Sequence, residues 1–370
     1  MNKKQKTWVK QFEQPLSRGW TFICAHLLPK NKWLRRSTVG IICVLALAFA
    51  GMYGIARWYI WSERTTPLTM GVSFIPDYAT YLGVDPQQTM DALTKDLQVK
   101  QFRLTSYWND IETSPGRYDF STLDWEFAKA DAAHAKINLT VGLRQPRWPE
   151  CHAPSFYDTS KPESQWYPQL KSFMTALVNR YKGNPALAGW QVENEYFLTG
   201  FGTCTNLDRT RLVDETNLVR KLDPHHPIII GRSNNALGWP IGAPAPDNFS
   251  ISVYRRVWDG NVTHRYLEYP QPAWFYAFTA GWQKLFTGKD MIIGELQAEA
   301  WAPAGKAVPD TSLAEQSKSI DAQRLKTTIQ FGKATGMKTI DLWGAEYWYY
   351  RMQVLHDPSL WNAAKDAFKD

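Results

Sequence analysis

The sequence predicts a (β/α)8 barrel that is preceded by a single N-terminal transmembrane helix. From about residue 68 onward, eight short runs of apolar and β-branched residues alternate with longer segments of helical periodicity. This alternation is typical of a parallel sheet built from βα units. A second observation is an uncharged apolar run near the N-terminus, long enough to cross a bilayer. No internal repeat favours a solenoid, and no glycine-rich phosphate turn favours a doubly wound sheet.

The apolar run lies in residues 39–56, with the sequence VGIICVLALAFAGMYGIA, and carries no charge. Trp58, Tyr59 and Trp61 follow at once, as expected at a membrane interface. A cleaved signal peptide is the alternative, but the basic segment before the run is unusually long for one. The predicted segments are a basic cytoplasmic segment (1–38), a transmembrane signal-anchor helix (39–61), a linker (62–69) and a catalytic barrel (70–370).

The positive charge of the chain is confined to its N-terminus. The chain has a net charge of +7, but residues 1–36 alone sum to +8, which leaves the rest at −1. Because basic residues favour the cytoplasmic side, we expect a single-pass protein of the cytoplasmic membrane, with its N-terminus in the cytoplasm and its barrel outside. The charge of the barrel gives no support for nucleic-acid binding, whereas residues 39–61 predict contact with the lipid bilayer.

The four cysteines fall into two pairs. Cys24 and Cys43 lie in the predicted cytoplasmic segment and membrane helix, where a disulfide is not expected. Cys151 and Cys204 lie in the predicted exported part, where a disulfide can persist if the geometry permits it. Two unpaired thiols are the alternative that the sequence leaves open.

The positions of the predicted strands and helices follow from the same periodicities. The strands are 70–75, 101–106, 137–143, 187–194, 227–233, 249–255, 291–296 and 338–344. The helices are 86–97, 123–135, 166–181, 210–222 and 317–335. Between the fifth and sixth strands the chain reads NNALGWPIGAPAPDN, so any helix there is expected to be short.

Polar and aromatic residues occur at the ends of several predicted strands. Catalytic residues of (β/α)8 barrels lie at the carboxyl ends of the strands, because the loops there form the open face. Two of these ends carry a glutamate, Glu195 after the fourth strand and Glu295 in the seventh, so two carboxyl groups are expected at one mouth. The other candidates are Arg103, Trp108, Asn194, Tyr254 and Trp343.

From about Gly71 to the C-terminus, these signals resemble the retaining glycoside hydrolases of clan A, which include the cellulase-like family 5 and the family 42 beta-galactosidases. The matching stretches are the pair Asn194-Glu195, IIGEL with Glu295, FRLTSYWNDIETSPGRYDFSTLDW with Arg103, and LWGAEYW with Trp343. The resemblance implies a hydrolase of O-glycosyl bonds that acts on an oligo- or polysaccharide. No cofactor is expected.

The resemblance also assigns roles to the polar side chains. Glu195 is the acid/base that protonates the leaving oxygen, and Glu295 is the nucleophile that attacks the anomeric carbon. Retention requires the two carboxyl groups to lie roughly 5 to 5.5 Å apart. Arg103 is expected to keep Glu295 ionised, and Asn194 is expected to hold the hydroxyl on carbon 2 of the sugar.

Aromatic residues suit a sugar cleft, because flat rings stack on the apolar faces of pyranoses. Tyr254 is expected to hydrogen-bond the nucleophile, Trp343 to form the floor of the sugar site and Trp108 to contact substrate. Large barrels also bury many aromatic side chains, so only three or four of the predicted loop tryptophans are expected to reach a ligand. These tryptophans are Trp108, Trp148, Trp190, Trp239, Trp258, Trp301 and Trp348.

Several ionisable residues near these motifs have a structural interpretation. Strand alternation directs Glu193 away from Asn194, toward the helix layer or a neighbouring loop. Glu299, four residues after the expected nucleophile, either shapes an added subsite or competes for that role. His152 and the His225-His226 pair lack the spacing of a zinc site.

Three functions are compatible with the sequence. The first is a membrane-anchored β-glycosidase that acts with retention outside the cytoplasmic membrane. The second is a barrel that binds carbohydrate without activity, against which the intact Glu195 and Glu295 argue. The third is another barrel enzyme, such as a metal-dependent hydrolase or lyase, which would need histidine or aspartate ligands at the strand ends. Sugar specificity, exo or endo action and oligomeric state are left open.

Overall fold

The computed structural model describes residues 31–198, 200–205, 207–233 and 242–369. The chain divides into two compact units, Met1–Ile55 and Ala56–Asp370. Cys24 and most of the basic N-terminal segment lie outside the described residues, so the predictions for them are not addressed by the structure.

The apolar run forms part of a continuous helix, α1 (Lys32–Ser62). Asn31 begins it, since its side-chain oxygen accepts hydrogen bonds from the amides of Trp33 and Leu34. A helix of 31 residues is about 46 Å long, which exceeds the roughly 30 Å of a hydrocarbon core. Among the described residues, α1 is the helix that is long and apolar enough to cross a membrane. Cys43 lies on it as an exposed free thiol.

The last two turns of α1 belong to the second unit. Ala56 and Tyr59 are buried there, and Ile60 lies against Gly336. Just after the helix, Glu63 accepts a hydrogen bond from Nζ of Lys284 at 2.5 Å. The end of α1 is therefore packed against the barrel rather than joined to it by a free linker.

The second unit is a closed parallel barrel of eight strands, which confirms the predicted fold class. Each strand pairs with the next in the chain, and the eighth closes on the first. The strands are β1 (Thr69–Phe74), β2 (Gln101–Leu104), β3 (Lys136–Val141), β4 (Leu187–Val192), β5 (Ile228–Ser233), β6 (Asn248–Val253), β7 (Asp290–Gln297) and β8 (Thr339–Trp343). All eight overlap the predicted runs, with boundaries that differ by at most two residues.

Helices surround the barrel. They are α2 (Pro76–Tyr81), α3 (Pro86–Lys95), α4 (Trp108–Ile111), α5 (Ser121–Ala132), α6 (Tyr167–Tyr181), α7 (Arg209–Leu222), α8 (Ala273–Thr287), α9 (Leu313–Gln316), α10 (Ala322–Ala334), α11 (Ala345–Gln353) and α12 (Ser359–Ala367). α6 shows why these segments pack as they do, because its apolar residues recur every three or four positions and form one buried face. The face consists of Leu170, Phe173, Met174, Leu177, Val178 and Tyr181.

Some elements differ from the prediction. The helix predicted over 317–335 begins only at α10, where the Asp321 side chain accepts a hydrogen bond from the Arg324 amide and caps it. The segment expected to hold a short helix after β5 falls largely on residues 234–241, outside the described residues. Helices α2, α4, α8, α9, α11 and α12 were not predicted. Nor were two antiparallel hairpins outside the barrel, Glu112–Ser114 with Arg117–Tyr118 and Arg256–Asp259 with Arg265–Glu268.

Strand β7 carries a bulge at its functional end. Its pairing with β6 shifts between Ile293 and Glu295, and its pairing with β8 shifts after Ile293 as well. Gly294 occupies the bulge, where a Cβ atom would lie 2.1 Å from Oγ of Ser250. Bulges re-aim the side chains that follow them, so the glycine allows the close approach that sets the direction of Glu295.

Candidate active site

The end of β4 departs from regular strand geometry. The strand stops at Val192, and the next three residues form an irregular turn in which Glu193 and Glu195 have positive φ angles of 57° and 39°. Non-glycine residues rarely adopt this conformation, and such strain concentrates at functional sites. The turn lets Gln191 and Asn194, three residues apart, reach the same arginine.

Glu193 has a structural role, in agreement with its predicted direction toward a neighbouring loop. Its carboxylate accepts hydrogen bonds from the amides of Leu143 at 2.9 Å and Arg144 at 2.7 Å, in the loop after β3. Nη1 of Arg211, on α7, contacts it at 3.1 Å. Glu193 therefore joins β4 to the β3 loop and is completely buried.

Arg103 of β2 donates hydrogen bonds to three side chains at the barrel mouth. Its Nη1 donates to Oε1 of Glu295 and its Nη2 donates to Oδ1 of Asn194, both at 2.8 Å. Its Nε donates to Oε1 of Gln191 at 2.7 Å. Because the guanidinium is planar and makes bonds on three sides, it holds β4 and β7 in register across the mouth.

Glu295 is held on both of its oxygens. Tyr254, which follows β6, donates from its hydroxyl to Oε2 at 2.6 Å, while Arg103 occupies Oε1. Burial and the Glu295 carboxylate raise the pKa of the Tyr254 hydroxyl well above its ordinary value, so it is a donor over the whole physiological range. Fixed donors on both oxygens orient the carboxylate and stabilise its charge.

Glu195 lacks the fixed donors on both oxygens that hold Glu295. It is buried, and its Oε1 has no hydrogen-bond partner among the described residues. Burial and the nearby Glu295 carboxylate raise its pKa to about 8, and a hydrogen bond with Ser252 opposes this only in part. Glu195 thus holds a proton at neutral pH beside a charged partner. Two carboxyl groups with divergent environments are the arrangement that acid–base chemistry requires.

Trp343 lies at the end of β8 and is held by Glu299. Its indole Nε1 donates to Oε1 of Glu299 at 2.8 Å, and the guanidinium carbon of Arg147 lies 4.5 Å from its ring centroid. Arg147 also forms an ion pair with Glu299 at 3.2 Å and stacks on Tyr78. Glu299 therefore fixes the orientation of an indole ring.

A cleft of about 550 Å³ opens above these residues. A second cavity of about 600 Å³ shares four lining residues with it: Arg147, Trp148, Glu299 and Lys306. Pockets of this size accommodate small ligands or several sugar units. The cleft is lined by Glu150, Glu195, Tyr254, Glu295 and Trp343, together with Trp148, Trp258 and Trp301.

Comparison with known proteins supports the same fold. The sequence model of the glycoside hydrolase family 42 beta-galactosidases matches residues 86–210, which include Arg103, Asn194 and Glu195. Among curated protein sequences, no match was found.

Solved structures give a broader match. An endo-beta-1,4-xylanase of glycoside hydrolase family 10 from Gloeophyllum trabeum has a TM-score of 0.53 at 16% identity, over 82% of this chain and 97% of the xylanase. GH5_18 from Streptomyces cattleya, solved in complex with GlcNAc, has a TM-score of 0.52 at 13% identity, over 75% of this chain and 70% of the other. A beta-galactosidase from the Antarctic haloarchaeon Halorubrum lacusprofundi has a TM-score of 0.51 at 13% identity, over 82% and 58% of the two chains.

The barrel is similar in fold to these clan A glycoside hydrolases. The resemblance predicted from the sequence is confirmed by the family model and by the solved structures, which together indicate a glycoside hydrolase. The polar residues at the ends of β2, β4, β6 and β7 lie together at one mouth of the barrel, as the sequence predicted for Arg103, Asn194, Glu195, Tyr254 and Glu295.

Trp108 lies elsewhere, and its assignment to substrate contact requires correction. The side chain is completely buried, its indole donates to Glu112, and its ring stacks on Tyr157 at 5.1 Å. The indole turns inward because a buried N–H needs an acceptor and Glu112, one helical turn later, supplies it. Trp108 is a core residue of the barrel.

The other tryptophans divide as expected between cleft and core. Trp148, Trp258 and Trp301 line the cleft together with Trp343. Trp190 and Trp348 are buried, with their indoles bonded to Asp223 and to the carbonyl of Ala298. Trp239 lies outside the described residues.

Glu150 is a cleft residue that the sequence did not indicate. It lies in the loop after β3, is 3% exposed and has a positive φ of 70°. Burial raises its pKa to about 7, although Arg144 opposes this. Its neighbour Cys151 forms a disulfide with Cys204, with the Cα atoms 5.2 Å apart. No spacing or strand-end signal marks Glu150, because the loop brings it in from outside the strands.

His152 and His226 have structural partners. His152 stacks on Tyr107 at 3.7 Å, and burial lowers its pKa to about 4. His226 bonds to Asp223 through Nδ1 at 2.7 Å, away from the mouth. In the part of the chain that the structure describes, no group of three histidine, cysteine or acidic residues is placed to hold a metal ion.

Proposed function

We propose that the protein is a membrane-anchored glycoside hydrolase that cleaves β-glycosidic bonds with retention, through a double displacement by two glutamates. One observation carries this proposal: Glu195 and Glu295, which are both buried in the cleft, have opposite environments. Glu295 is fixed by Arg103 and Tyr254 as a charged group, whereas the pKa of Glu195 is raised to about 8. This division matches a nucleophile and a general acid.

In the first step, the Glu295 carboxylate attacks the anomeric carbon while Glu195 gives its proton to the leaving oxygen. The bond from the anomeric carbon to that oxygen breaks, and a glycosyl ester of Glu295 forms. As the ester forms, Glu295 loses its charge, and the Coulombic repulsion that holds a proton on Glu195 weakens. The pKa of Glu195 is then expected to fall, which prepares it to act as a base.

In the second step, ionised Glu195 takes a proton from water, and the resulting hydroxide attacks the anomeric carbon. The ester bond breaks, Glu295 leaves as a carboxylate, and Arg103 and Tyr254 again hold its two oxygens. Two inversions give net retention. In this proposal Asn194 bonds the hydroxyl on carbon 2, a contact that strengthens in the oxocarbenium-like transition state.

An oligo- or polysaccharide is the substrate class that the cleft supports. Trp148, Trp258, Trp301 and Trp343 present aromatic surface for sugar rings, and polar groups lie between them. Related barrels whose names specify a substrate are xylanases and beta-galactosidases.

The anchor and its orientation are part of the same proposal. Helix α1 is long and apolar enough to cross a bilayer, and the excess of basic residues precedes it. We infer that the N-terminus is cytoplasmic and that the barrel acts outside the cytoplasmic membrane. A disulfide between Cys151 and Cys204 fits an oxidising compartment.

Topology is tested by cysteine labelling in cells. In a Cys24→Ser, Cys43→Ser background, single cysteines are introduced at Asn2 and at Ser160, an exposed barrel residue. A membrane-impermeant maleimide applied to intact spheroplasts is expected to label Ser160→Cys and to spare Asn2→Cys until the membrane is opened. The reverse pattern, or release of the barrel into the medium, contradicts the anchor.

Activity is tested with a panel of aryl β-glycosides. Wild type is expected to hydrolyse at least one of them with retained anomeric configuration in the first product, observed by proton NMR. Glu295→Gln is expected to be inactive, and Glu268→Gln, at an exposed glutamate outside the cleft, is expected to match wild type. Failure of wild type on the whole panel, with no difference in Glu295→Gln, favours a barrel that only binds carbohydrate. An inverted first product contradicts the double displacement.

A further inference from the structure

Glu150 is a further carboxyl group in the cleft, and the steps above give it no role. It lines the same cleft as Glu195 and Glu295 and is 3% exposed. Burying a carboxyl group is costly unless it is hydrogen-bonded or paired. Its contacts therefore indicate what it does.

Glu150 contacts Asn194. Nδ2 of Asn194 donates to Oε2 of Glu150 at 3.1 Å. On the other side of the amide, Oδ1 of Asn194 accepts from Nη2 of Arg103 at 2.8 Å and from Nε2 of Gln191 at 3.2 Å. The amide thus lies between a cation and a carboxyl group, with its oxygen toward the first and its nitrogen toward the second. This is the favourable orientation, since a rotation by 180° would place N–H groups against the guanidinium.

The contact with Glu150 occupies one hydrogen of the Asn194 amide and leaves the second as the donor that a ligand would use. An asparagine NH₂ group has two N–H donors, and Glu150 takes one of them. A sugar hydroxyl is the matching group, because its oxygen accepts from the amide while its own hydrogen is free for a nearby carboxylate.

Glu150 is itself held firmly. Nε of Arg144 lies 3.4 Å from its Oε2, and both side chains are buried. Its own backbone amide donates to the carbonyl of Arg147 at 2.8 Å. Gly202 packs so closely that a Cβ there would lie 2.6 Å from Cβ of Glu150.

The disulfide adds a covalent link at the same place. Cys151, the next residue, is joined to Cys204 in the loop after β4, and the Thr203 amide donates to the carbonyl of Pro149 at 3.0 Å. These contacts attach the loop that carries Glu150 to the loop that follows Glu195. Such support is what a group needs in order to fix the direction of another side chain.

We propose that Glu150 is a positioning residue that sets the orientation of the Asn194 amide and thereby makes hydrolysis depend on a hydroxyl at carbon 2 of the sugar. This inference rests on the proposed function, in which Asn194 bonds the hydroxyl at carbon 2, and adds the residue that orients the amide for that contact. Without Glu150, the amide oxygen keeps its contacts with Arg103 and Gln191, but the nitrogen loses its acceptor and its second donor no longer faces the sugar consistently.

The test combines a variant with a substrate analogue. Wild type and Glu150→Gln are assayed with the dinitrophenyl β-glycoside that wild type hydrolyses fastest and with its 2-deoxy analogue. If Glu150 acts through Asn194, the variant is expected to lose about tenfold or more in kcat/KM on the normal substrate, mainly in kcat. On the 2-deoxy analogue, it is expected to lose about twofold or less, because the contact is already absent.

Glu112→Gln is the matched control. Glu112 is also buried and hydrogen-bonded, but its partners are Trp108, Tyr157 and the Gly116 amide, outside the cleft. Any general loosening of the barrel in this control is expected to affect both substrates by the same factor. Melting temperatures of both variants report whether they fold.

An equal loss in Glu150→Gln on both substrates, or no loss on either, would overturn the positioning role. Failure of the proposed function gives a different result, since either wild type would hydrolyse no glycoside of the panel or Glu295→Gln would retain the activity of wild type. A Glu150→Ala variant that shows the same selective loss as Glu150→Gln would exclude a new contact of the glutamine as the cause.

Discussion

The hydroxyl of Tyr254 donates to Oε2 of Glu295 at 2.6 Å, on the oxygen opposite the one that Arg103 binds. One donor lies on β2 and the other directly follows β6, so the carboxylate is fixed in rotation as well as in position. An attacking oxygen must point at the anomeric carbon, and this pair of contacts supplies that direction.

Tyr254→Phe is expected to lower kcat/KM by about 10- to 100-fold, because a hydrogen bond to a charged group is lost from the cleft. The loss is measured on an aryl β-glycoside that wild type hydrolyses. Tyr167→Phe is the control, since it removes a tyrosine hydroxyl that bonds to Asp214 on the outer helices at 2.8 Å. Equal activities of the two variants would show that the Tyr254 contact is irrelevant to catalysis.

Arg103→Met is expected to abolish activity and to lower the free energy of unfolding by about 3 to 5 kcal/mol, because it leaves the buried Glu295 without its cation. Urea unfolding of the detergent-solubilised protein measures the change. Arg180→Met breaks a surface pair with Asp124 and is expected to cost about 1 kcal/mol or less. Equal losses of stability in the two variants would contradict the importance of the buried pair between Arg103 and Glu295.

The pH profile tests the role of Glu195. Its pKa is raised to about 8 by burial and by Glu295, so kcat/KM is expected to fall as the pH rises through about 8 and the acid is lost. The fall is expected with a glycoside whose leaving group needs a proton and is expected to be much weaker with a dinitrophenyl glycoside. A profile that rises through this range with the first substrate would contradict the assignment.

The same pKa has a consequence for stability. Between about pH 4.5 and 8, folded Glu195 keeps a proton that the unfolded chain has released, so the folded state binds more protons and the contribution of Glu195 to stability falls as the pH rises. Glu195→Gln removes this dependence. The stability of the variant relative to wild type is therefore expected to increase across that window, as measured by urea unfolding at several pH values.

Gly294→Ala is expected to reduce activity by disturbing the bulge that directs Glu295, since its Cβ would lie 2.1 Å from Oγ of Ser250. Adding Ser250→Ala removes that oxygen and is expected to restore part of the activity. Gly231→Ala on β5 is the matched control, because the atoms nearest its Cβ lie at 3.7 to 3.9 Å, which is ordinary contact. Full activity of Gly294→Ala alone would show that the bulge does not need its glycine.

The barrel could be predicted because its eight strands alternate with amphipathic segments, and this periodicity can be read from the local sequence. Helix α8 was not predicted because its local sequence lacks such a periodicity. Its sequence AWFYAFTAGWQKLFT is apolar on most sides, with Leu285 and Phe286 exposed, so it lacks the clear alternation of polar and apolar faces that identifies α6.

The positions of site residues could be predicted from the sequence when these residues lie on strands, and less readily when they lie in loops. Glu295 and Arg103 occupy strands, so their convergence follows from barrel geometry alone. Glu150 comes from a loop, and only the three-dimensional path of that loop brings it to Asn194. Trp108 was predicted to contact substrate because it follows a strand, but its indole is buried in the core. Proximity to a strand end does not determine whether an indole turns toward the cleft or the core.

The most direct test of the central claim is to trap the nucleophile. Wild type is incubated with a panel of 2-deoxy-2-fluoro β-glycosides that carry activated leaving groups, and the labelled peptide is mapped by mass spectrometry. We expect one sugar per chain, attached to Glu295, and no label in Glu295→Gln. Label on Glu299 or Glu150 instead, or hydrolysis without any trapped intermediate, would contradict it.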